Sequence, residues 1–436
     1  MNLLKRLTVK GVRIPEHKEQ TKDLKVEGMN PPKHLYFPMS MHIGKPARPA
    51  VKVGDPVKIG TLLGKTEGGV STNIHSSVSG TVVSVREEEW NKEGVETVVI
   101  ENDFKDEKVK LKNLVGTITK EDFKKRLEDA GITGKGGAGF PAHIKYDLEQ
   151  HKARYLVVNG AECEPYSTAD HRCMVEYGDE IIKIIQLIDR IYEVDEAHIA
   201  VEEHMQESRD ALKKAMKDNG AEHIVINELP AIYPQGHSGL QINQVLGIEI
   251  EEGQRSGEIG VLQSNVSTIK AIYDAVFEQE SFHQRIITVT GPMIRTPKNL
   301  MVRLGTRVEE IIEACGGLHE GEGIMISGGP MMGKIVDDAS LPVDKDTTTL
   351  LFLGKPAGEK ERACIRCAKC VDGCPVSLQP ILISNAYRKQ EYEMGIPLKS
   401  ESCIRCGVCT YICPSRISLL EDIQLLNREL EGKDDE

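Results

Sequence analysis

Eight of the 11 cysteines in this 436-residue chain lie close together near its C-terminal end. They form two runs, Cys364–Pro375 and Cys403–Pro414, which share the spacing C-x₂-C-x₂-C-x₃-C-P. Gaps of two residues let three thiolates hold one iron–sulfur cube, and the fourth cysteine of such a run ligates the other cluster. The spacing therefore predicts two [4Fe–4S] clusters with crossed ligands. The predicted ligands are Cys364, Cys367, Cys370 and Cys413 for cluster one, and Cys403, Cys406, Cys409 and Cys374 for cluster two.

Two other uses of cysteine compete with this interpretation. A zinc site takes four ligands and commonly mixes cysteine with histidine, whereas these runs repeat cysteine at two-residue gaps and end in Cys-Pro. A disulfide framework is typical of small secreted chains, but only Cys163, Cys173 and Cys315 lie outside the two runs. We therefore expect iron–sulfur ligation, with these three cysteines as ordinary packing thiols.

A long connection separates the two cysteine runs and reads as helical over Gln379–Tyr392. This pattern predicts an α-helical ferredoxin domain over residues 362–425, followed by an acidic tail at 426–436. Two clusters held by shared runs act as an electron wire, so we predict no catalytic side chain in this chain.

A second group of residues could hold a phosphorylated cofactor. Gly134–Pro141 is rich in glycine, which lets backbone amides approach a phosphate, and Lys135 or Lys145 could add charge. A buried-strand candidate at 154–158 precedes Asn159–Pro165, whose polar side chains could hydrogen-bond a ring system. A wire of one-electron centres needs a converter for two-electron donors, and flavin is the usual one. The combination indicates a flavin site.

The elements around this site alternate between strand and helix. Short strand–helix–strand connections predict a parallel sheet, and so an α/β domain over residues 116–283. From residue 284 to 355, two strands and a helix predict a β-grasp-like unit. Its Gly328–Gly333 segment is interpreted as a packed turn or a partner contact, because no Lys-Ser or Lys-Thr follows to make a phosphate loop.

Residues 1–115 show no helical period and read as short β-strands. The pattern resembles the barrel-sandwich hybrid domains that carry biotin or lipoate on a hairpin lysine. The expected hairpin tip, Gly68-Gly69 within Glu67–Val70, has no lysine. The module is therefore predicted to be structural, and so are His42 and His75 within it.

Composition narrows the class of protein. The chain has 55 Lys+Arg against 67 Asp+Glu and a formal net charge of −12, so it lacks the positive charge of a general nucleic-acid binder. No apolar run reaches the ~18–20 residues of a membrane span, and Met1–Arg6 is too poor in apolar residues for a signal peptide. At ~100–200 residues per domain, the length predicts two to four domains. We expect a cytoplasmic protein in a reducing compartment.

Together these motifs resemble a known family. Gly134–Pro141 with Asn159–Pro165 resembles the flavin-binding signature of the 51-kDa NADH-oxidising subunit of respiratory complex I. With the β module, the β-grasp unit and the cysteine runs in this order, residues 7–425 resemble the RnfC family, the peripheral NADH-binding subunits of Rnf ferredoxin:NAD⁺ oxidoreductases. The resemblance implies a multidomain α/β and β protein. Its domains would be a barrel-sandwich hybrid, an α/β FMN- and NADH-binding domain, a β-grasp (SLBB-like) domain and a helical ferredoxin domain.

The resemblance also implies which residues hold FMN. The glycine loop would cradle the cofactor with Lys145 near its phosphate, and the polar residues after the strand would flank the isoalloxazine ring. Another loop would lie over the flavin, and one further segment would contact its phosphate side. The implied residues of the glycine loop are Gly134, Gly136, Gly137, Gly139 and Phe140, with Lys145 near the phosphate. Those after the strand are Asn159, Glu162 and Glu164. Tyr233 and Gly236 would lie over the flavin, and Asn265 and Thr268 would lie on its phosphate side.

One segment departs from the family pattern. RnfC proteins commonly continue Tyr-Pro-x-Gly with Gly-Glu-Lys-Gln-Leu, where this chain has His237–Gln241, so the carboxylate expected near the nicotinamide nucleotide is absent. Three functions therefore stay open. The chain is an NADH-dependent RnfC protein of an Rnf complex, a soluble RnfC-like protein that feeds a terminal reductase such as D-proline reductase, or a non-catalytic docking scaffold. In an Rnf complex it would bind the other Rnf subunits and lie on the inner face of the cell membrane without a span of its own.

Overall fold

The computed structural model describes residues 10–136, 139–148, 151–251, 253–355, 358 and 360–432. Its N-terminal part is built from short strands, as the sequence predicts. The strands are β1 (Val26–Gly28), β2 (His34–Pro38), β3 (Arg48–Pro49), β4 (Pro56–Val57), β5 (Leu62–Lys65), β6 (Ile74–His75), β7 (Gly80–Glu87) and β8 (Glu96–Asn102). Two antiparallel sheets, β2-β8-β7-β4 and β3-β5-β6, enclose a core that includes the fully buried Leu35, Phe37 and Ile100.

The loop between β5 and β6 carries the predicted hairpin tip. Gly68 and Gly69 have φ of +89° and +67°, and the position of a Cβ on either faces open space, so the backbone conformation alone favours glycine here. His42 and His75 are buried elsewhere in this module, and burial lowers the pKa of His42 to about 4 and that of His75 to about 3. Both histidines are therefore neutral parts of the core.

The middle of the chain forms an α/β domain. Its helices are α1 (Lys120–Asp129), α2 (Ala142–Lys145), α3 (Ala169–Glu176), α4 (Gly178–Tyr192), α5 (Gln206–Asp218), α6 (Ser238–Leu246) and α7 (Val266–Tyr273). Its strands are β9 (Tyr155–Asn159), β10 (Glu196–Glu202), β11 (Val225–Leu229) and β12 (Val261–Asn265). All neighbours in the order β11-β10-β9-β12 run parallel, so the predicted parallel sheet is confirmed.

Local sequence explains two of these helices. A capping box between Thr119 and Asp122 starts α1, because each side chain binds a backbone N–H that the first turn leaves free. On α4, Ile181, Ile184 and Ile188 recur at helical spacing and are fully buried. This apolar face packs the helix on the core of the domain.

A six-stranded mixed sheet follows. Its own elements are β13 (Gln284–Thr290), β14 (Lys298–Arg303), α8 (Val308–Ala314), β15 (Gly323–Ser327), β16 (Lys334–Val336) and β17 (Thr349–Gly354). The order is β1-β14-β13-β17-β15-β16. The outer edge of β14 is covered by β1, which runs parallel to it. The N-terminal segment therefore contributes to the β-grasp sheet, a pairing that the division at residue 115 did not predict.

The C-terminal domain consists of two similar helical halves. It contains α9 (Lys369–Asp372), α10 (Pro380–Arg388), α11 (Val408–Tyr411) and α12 (Leu419–Glu431). Left-handed residues recur at matching places of the two halves, with Arg366 matching Arg405 and Ala368 matching Gly407. The predicted boundary at residue 426 falls inside α12, whose Leu426 is fully buried. Within the described ranges, no helix has the length and apolar character to cross a membrane.

Candidate functional site

Four cysteines from both halves of the C-terminal domain converge on one small cavity. Cys374 of the first run shares its walls with Cys403, Cys406 and Cys409 of the second run. Burial, with a smaller effect of neighbouring thiols, raises the pKa of Cys406 to about 11 and that of Cys409 to about 12. Thiols in such surroundings become thiolates only when a positive centre compensates their charge. This donor set fits an iron–sulfur cluster.

Cys364, Cys370 and Cys413 form a second group in the C-terminal domain. Burial raises the pKa of Cys370, and the neighbouring thiols of Cys413 and Cys364 add to the effect. Cys370 and Cys413 are buried, whereas Cys364 and Cys367 are exposed. Each run thus lends its fourth cysteine to the group formed by the other run. This is the crossed arrangement of two-cluster ferredoxins.

Backbone N–H groups point at the thiols of both groups. The N–H of Arg366 lies 3.4 Å from Cys364 Sγ, and the N–H of Leu378 lies 3.3 Å from Cys374 Sγ. Zinc needs its ligands at about 2.0–2.3 Å from one point. Among the side chains that the structure describes, no three Cys, His, Asp or Glu residues surround a point in this way.

A cleft of about 1240 Å³ lies beside this domain. Phe140 and Lys145 of the predicted FMN residues line it, and so do the cysteine-run residues Cys403 and Ile404. Helix α6, residues 249–251 and residues 253–258 complete its wall. One space therefore borders both the flavin motif and a predicted cluster ligand.

The cleft contains polar groups that lack partners among the residues described here. The Lys145 ammonium makes no hydrogen bond or ion pair with them, and burial lowers its pKa to about 8. Gln235 is 1% exposed, and neither its Oε1 nor the Nδ1 of His237 has a hydrogen-bond partner in the described ranges. Unsatisfied buried polar groups are rare unless a ligand completes them, so these residues fit a phosphorylated, hydrogen-bonding cofactor such as FMN.

The glycine loop packs on the start of α7. The N–H of Gly134 donates to Phe140 O at 2.8 Å and closes the loop. Gly136 lies against Asn265, whose Oδ1 caps α7, and the N–H of Lys135 donates to Thr268 Oγ1 at 2.8 Å. Asn265 and Thr268 thus support the glycine loop through their contacts with Gly136 and Lys135. Two further predicted residues belong to it: Gly139, with a φ of +58°, and Gly137, which lies outside the described residues.

The two candidate lysines point in different directions. The Lys135 ammonium lies 4.3 Å from the centre of the Phe282 ring in the core, and burial lowers its pKa to about 7. Lys145 lines the cleft. Of the two, Lys145 is placed to meet a phosphate, and Lys135 is a core residue.

The predicted flavin residues at the end of β9 and just after it make contacts within the protein. Glu162 is buried, and its carboxylate accepts the N–H groups of Asp170 and His171 at 2.9 and 3.1 Å, which satisfies the first turn of α3. The side chain of Asn159 donates to Gly236 O at 2.9 Å and accepts from Gln241 Nε2 at 2.7 Å. These side chains therefore cap a helix and position a loop, and their contact with a flavin ring stays a prediction.

Tyr233 contacts a cysteine run, and Glu164 contacts the β-grasp domain. The Glu164 carboxylate accepts the N–H groups of Met331 and Met332 at 3.1 and 2.9 Å. The Tyr233 hydroxyl donates to Cys406 O at 2.9 Å. Gly236 packs on the sulfur of Cys163, which accepts its N–H at 3.3 Å. Glu164 and Tyr233 each have a partner in another domain, which the sequence motif could not show.

Several cleft residues carry no motif and were missed. Gln235 and His237 flank the predicted Gly236, and the outer wall includes Glu249, Glu251 and Arg255. The sequence shows that His237 departs from the family pattern, but it does not show that this residue lines the cleft. The outer segment has no sequence signal beyond its mixture of Gly and charge.

Family models match four consecutive parts of the chain. They are the RnfC barrel sandwich hybrid domain over residues 8–105, the Nuo51 FMN-binding domain over 127–274, the SLBB domain over 286–334 and the 4Fe-4S dicluster domain over 358–414. The order and kinds of domain agree with the prediction. FMN and two [4Fe–4S] clusters are the cofactors of these domains, so the chain is a flavin- and iron–sulfur-dependent electron-transfer protein of the oxidoreductase class.

Whole-chain comparisons point the same way. The chain is 36% identical over 395 residues to the C subunit of the proton-translocating ferredoxin:NAD(+) oxidoreductase complex of Clostridium ljungdahlii, covering 88% of this chain and 85% of that one. It is 34% identical over 390 residues to the Na(+)-translocating counterpart of Acetobacterium woodii, covering 88% of each. A NAD+-reducing [NiFe]-hydrogenase structure shares the fold at a TM-score of 0.51 and 15% identity, over 71% of this chain and 62% of that one. On these matches, the chain belongs to the RnfC family.

Proposed function

We propose that this protein is the RnfC component of an Rnf-type complex and passes electrons between NAD(H) and the complex through FMN and two clusters. The observation that carries the proposal is the shared cleft, which is lined by Phe140 and Lys145 of the flavin motif and by Cys403 of a cysteine run. A cofactor in this cleft lies beside the ligands of one cluster. The relatives are named as subunits of ferredoxin:NAD(+) oxidoreductase complexes.

The chain's own residues bind and orient FMN in this proposal. Lys145 would pair with the phosphate, and Phe140 of the glycine loop lines the same cleft. Gln235 and His237 offer polar atoms to the rest of the ligand that have no partner within the described ranges. When bound, FMN supplies the conversion between two-electron and one-electron transfer, and the clusters supply one-electron relay.

The cysteines divide into an inner and an outer set. Cys374, Cys403, Cys406 and Cys409 would hold cluster two next to the cleft, because Cys403 lines it. The ligands of cluster one would be Cys364, Cys367, Cys370 and Cys413, of which the first two are exposed. Electrons would therefore enter or leave the protein on the side of cluster one.

The partners follow from the family. Complexes of this name translocate ions, so we propose that the chain attaches to membrane subunits as a peripheral protein on the cytoplasmic face. Release of the chain from membranes by high salt without detergent would support this attachment. Recovery in the soluble fraction at low salt, with no Rnf subunits, would contradict it.

The test of the donor uses anaerobically purified holoprotein with its FMN and iron content measured. NADH should bleach the flavin absorbance and produce the electron paramagnetic resonance (EPR) signals of reduced clusters. Dithionite serves as the positive control, because it reduces both cofactors without a nucleotide site. Reduction by dithionite but not by NADH would contradict the donor assignment.

A soluble electron-transfer protein for another reductase is the second candidate. His237 and Ser238 favour it, because they line the cleft where a nicotinamide-binding carboxylate is expected. This candidate predicts loaded cofactors, no response to NADH and no membrane attachment. A scaffold without redox function would instead fail to retain FMN after reconstitution.

A further inference from the structure

Tyr233 joins the edge of the cleft to a predicted cluster ligand. Its side chain is 3% exposed, and its hydroxyl lies 2.9 Å from Cys406 O and 3.4 Å from Glu164 Oε1. The backbone of Tyr233 is fixed by two hydrogen bonds with Val12. Two residues further on, Gln235 lines the cleft. A short, buried segment thus spans the distance from the cleft to the cysteine run.

Glu164 connects the surroundings of Tyr233 to the β-grasp domain. Its carboxylate accepts the N–H groups of Met331 and Met332 in the glycine-rich segment 328–333. A Cβ on Gly329 would overlap the Glu164 carboxylate, so glycine is required for this close approach. This gives the segment a role that the sequence left open between a packed turn and a partner contact.

Met331 makes a third contact, which joins the segment 328–333 to the loop that carries Cys406. Met331 packs in one apolar cluster with Tyr233, Cys406 and Val408. Its carbonyl oxygen lies 3.1 Å from the position of a Cβ on Gly407, whose φ is +77°. The loop that carries Cys406 is therefore held from two domains.

We propose that Tyr233, supported by Glu164 and the segment 328–333, is a positioning residue for cluster two and tunes its reduction potential through the Cys406 carbonyl. The proposal rests on the cluster ligands proposed above. The hydroxyl directs the positive end of its dipole at the Cys406 carbonyl, so its removal makes the surroundings more negative and disfavours the reduced cluster. The Glu164 carboxylate acts in the opposite sense, since neutralising it favours the reduced cluster.

The experiment is an EPR-monitored redox titration of the holoprotein. Tyr233→Phe should lower the midpoint potential of cluster two, and Glu164→Gln should raise it, with cluster one unchanged in both. Cys364→Ser, which alters cluster one, assigns the two signals. Tyr192→Phe is the matched control, because it removes a buried phenol hydrogen bond of 2.8 Å to Tyr146 O within the α/β domain.

Selective loss of cluster two in Tyr233→Phe, with FMN and cluster one retained, would also support a positioning role. Unchanged potentials for both clusters in Tyr233→Phe overturn the proposal while leaving the electron-transfer function intact. If Tyr233→Phe fails to fold, Glu164→Gln decides, and unchanged potentials in that variant overturn the proposal. A protein without NADH response but with these shifts would instead contradict the donor assignment alone.

Discussion

Lys145 and Cys403 line the same cleft, although Lys145 ends α2 in the α/β domain and Cys403 belongs to the C-terminal domain. A lysine proposed to pair with the flavin phosphate and a proposed ligand of cluster two thus face one space. The cleft is formed only when the two domains are packed together. The cleft therefore combines residues that neither domain provides alone.

Lys145→Gln should weaken FMN binding. The ammonium has no partner among the described residues, and a hydrogen bond to a charged group contributes about 1.5–3 kcal/mol, so we expect a roughly 10- to 150-fold rise in Kd. Quenching of flavin fluorescence on titration into flavin-free protein measures this. Lys152→Gln is the control, since Lys152 pairs with Asp195 outside the cleft. Equal affinities in both variants would contradict the assigned role.

The same lysine predicts a pH dependence. Burial lowers the pKa of Lys145 to about 8, so the free protein loses this positive charge as the pH rises through that value. FMN affinity should therefore be full below this pKa and fall above it. The fall should disappear in Lys145→Gln, whose side chain does not titrate. Parallel profiles for the two proteins would show that another group causes the dependence.

Much of the fold could be predicted because its signals are local. The isoleucines of α4 repeat at helical spacing, and the cysteine runs contain their own turn geometry. The pairing of β1 with β14 could not be predicted, since it joins segments far apart in the chain through backbone hydrogen bonds that leave no side-chain pattern. The predicted boundary at 426 lies inside α12 for a related reason, because charged residues near the end of this helix accompany its buried Leu426.

The kind of cofactor at the candidate site could be predicted from the sequence, but the partners of the individual side chains could not. Glu162 and Glu164 share a motif with Asn159, yet they satisfy backbone N–H groups of α3 and of the 328–333 segment. A sequence shows that a carboxylate is present, while its partner depends on which backbone donors the fold brings near. Gln235 lacked a motif and lines the cleft because it follows Tyr233 in a fixed segment.

Glu162→Gln tests that distinction. Glu162 caps α3, and loss of a helix cap costs about 0.5–2 kcal/mol, so we expect a lower thermal unfolding midpoint with little change in FMN affinity. Glu222→Gln, at an exposed position, controls for the loss of charge. A large loss of FMN affinity with unchanged thermal stability would show that Glu162 contacts the flavin rather than serving as a helix cap.

Gly236→Ala should disturb the loop beside the cleft. The added Cβ would lie 3.2 Å from Cys163 Sγ and 3.3 Å from Ala161 O, and overpacking of this kind costs about 1–3 kcal/mol. Thermal unfolding measures the effect. Gly28→Ala, which meets open space, is the control. Combining Gly236→Ala with Cys163→Ala should recover part of the loss, and failure to recover any would show that the sulfur is not the obstacle.

Cys374→Ser tests the crossed ligands. Cys374 belongs to the first cysteine run by sequence, but it shares a cavity with Cys403, Cys406 and Cys409 of the second. Its replacement should therefore remove or alter the same EPR signal as Cys403→Ser, and leave the signal that Cys364→Ser removes. By the same geometry, Cys413→Ser should behave like Cys364→Ser, because the thiols of Cys413 and Cys364 both neighbour Cys370. If each variant instead affected the cluster of its own run, the ligands would be grouped by sequence, and Cys374 would have to leave the cavity in which the structure places it.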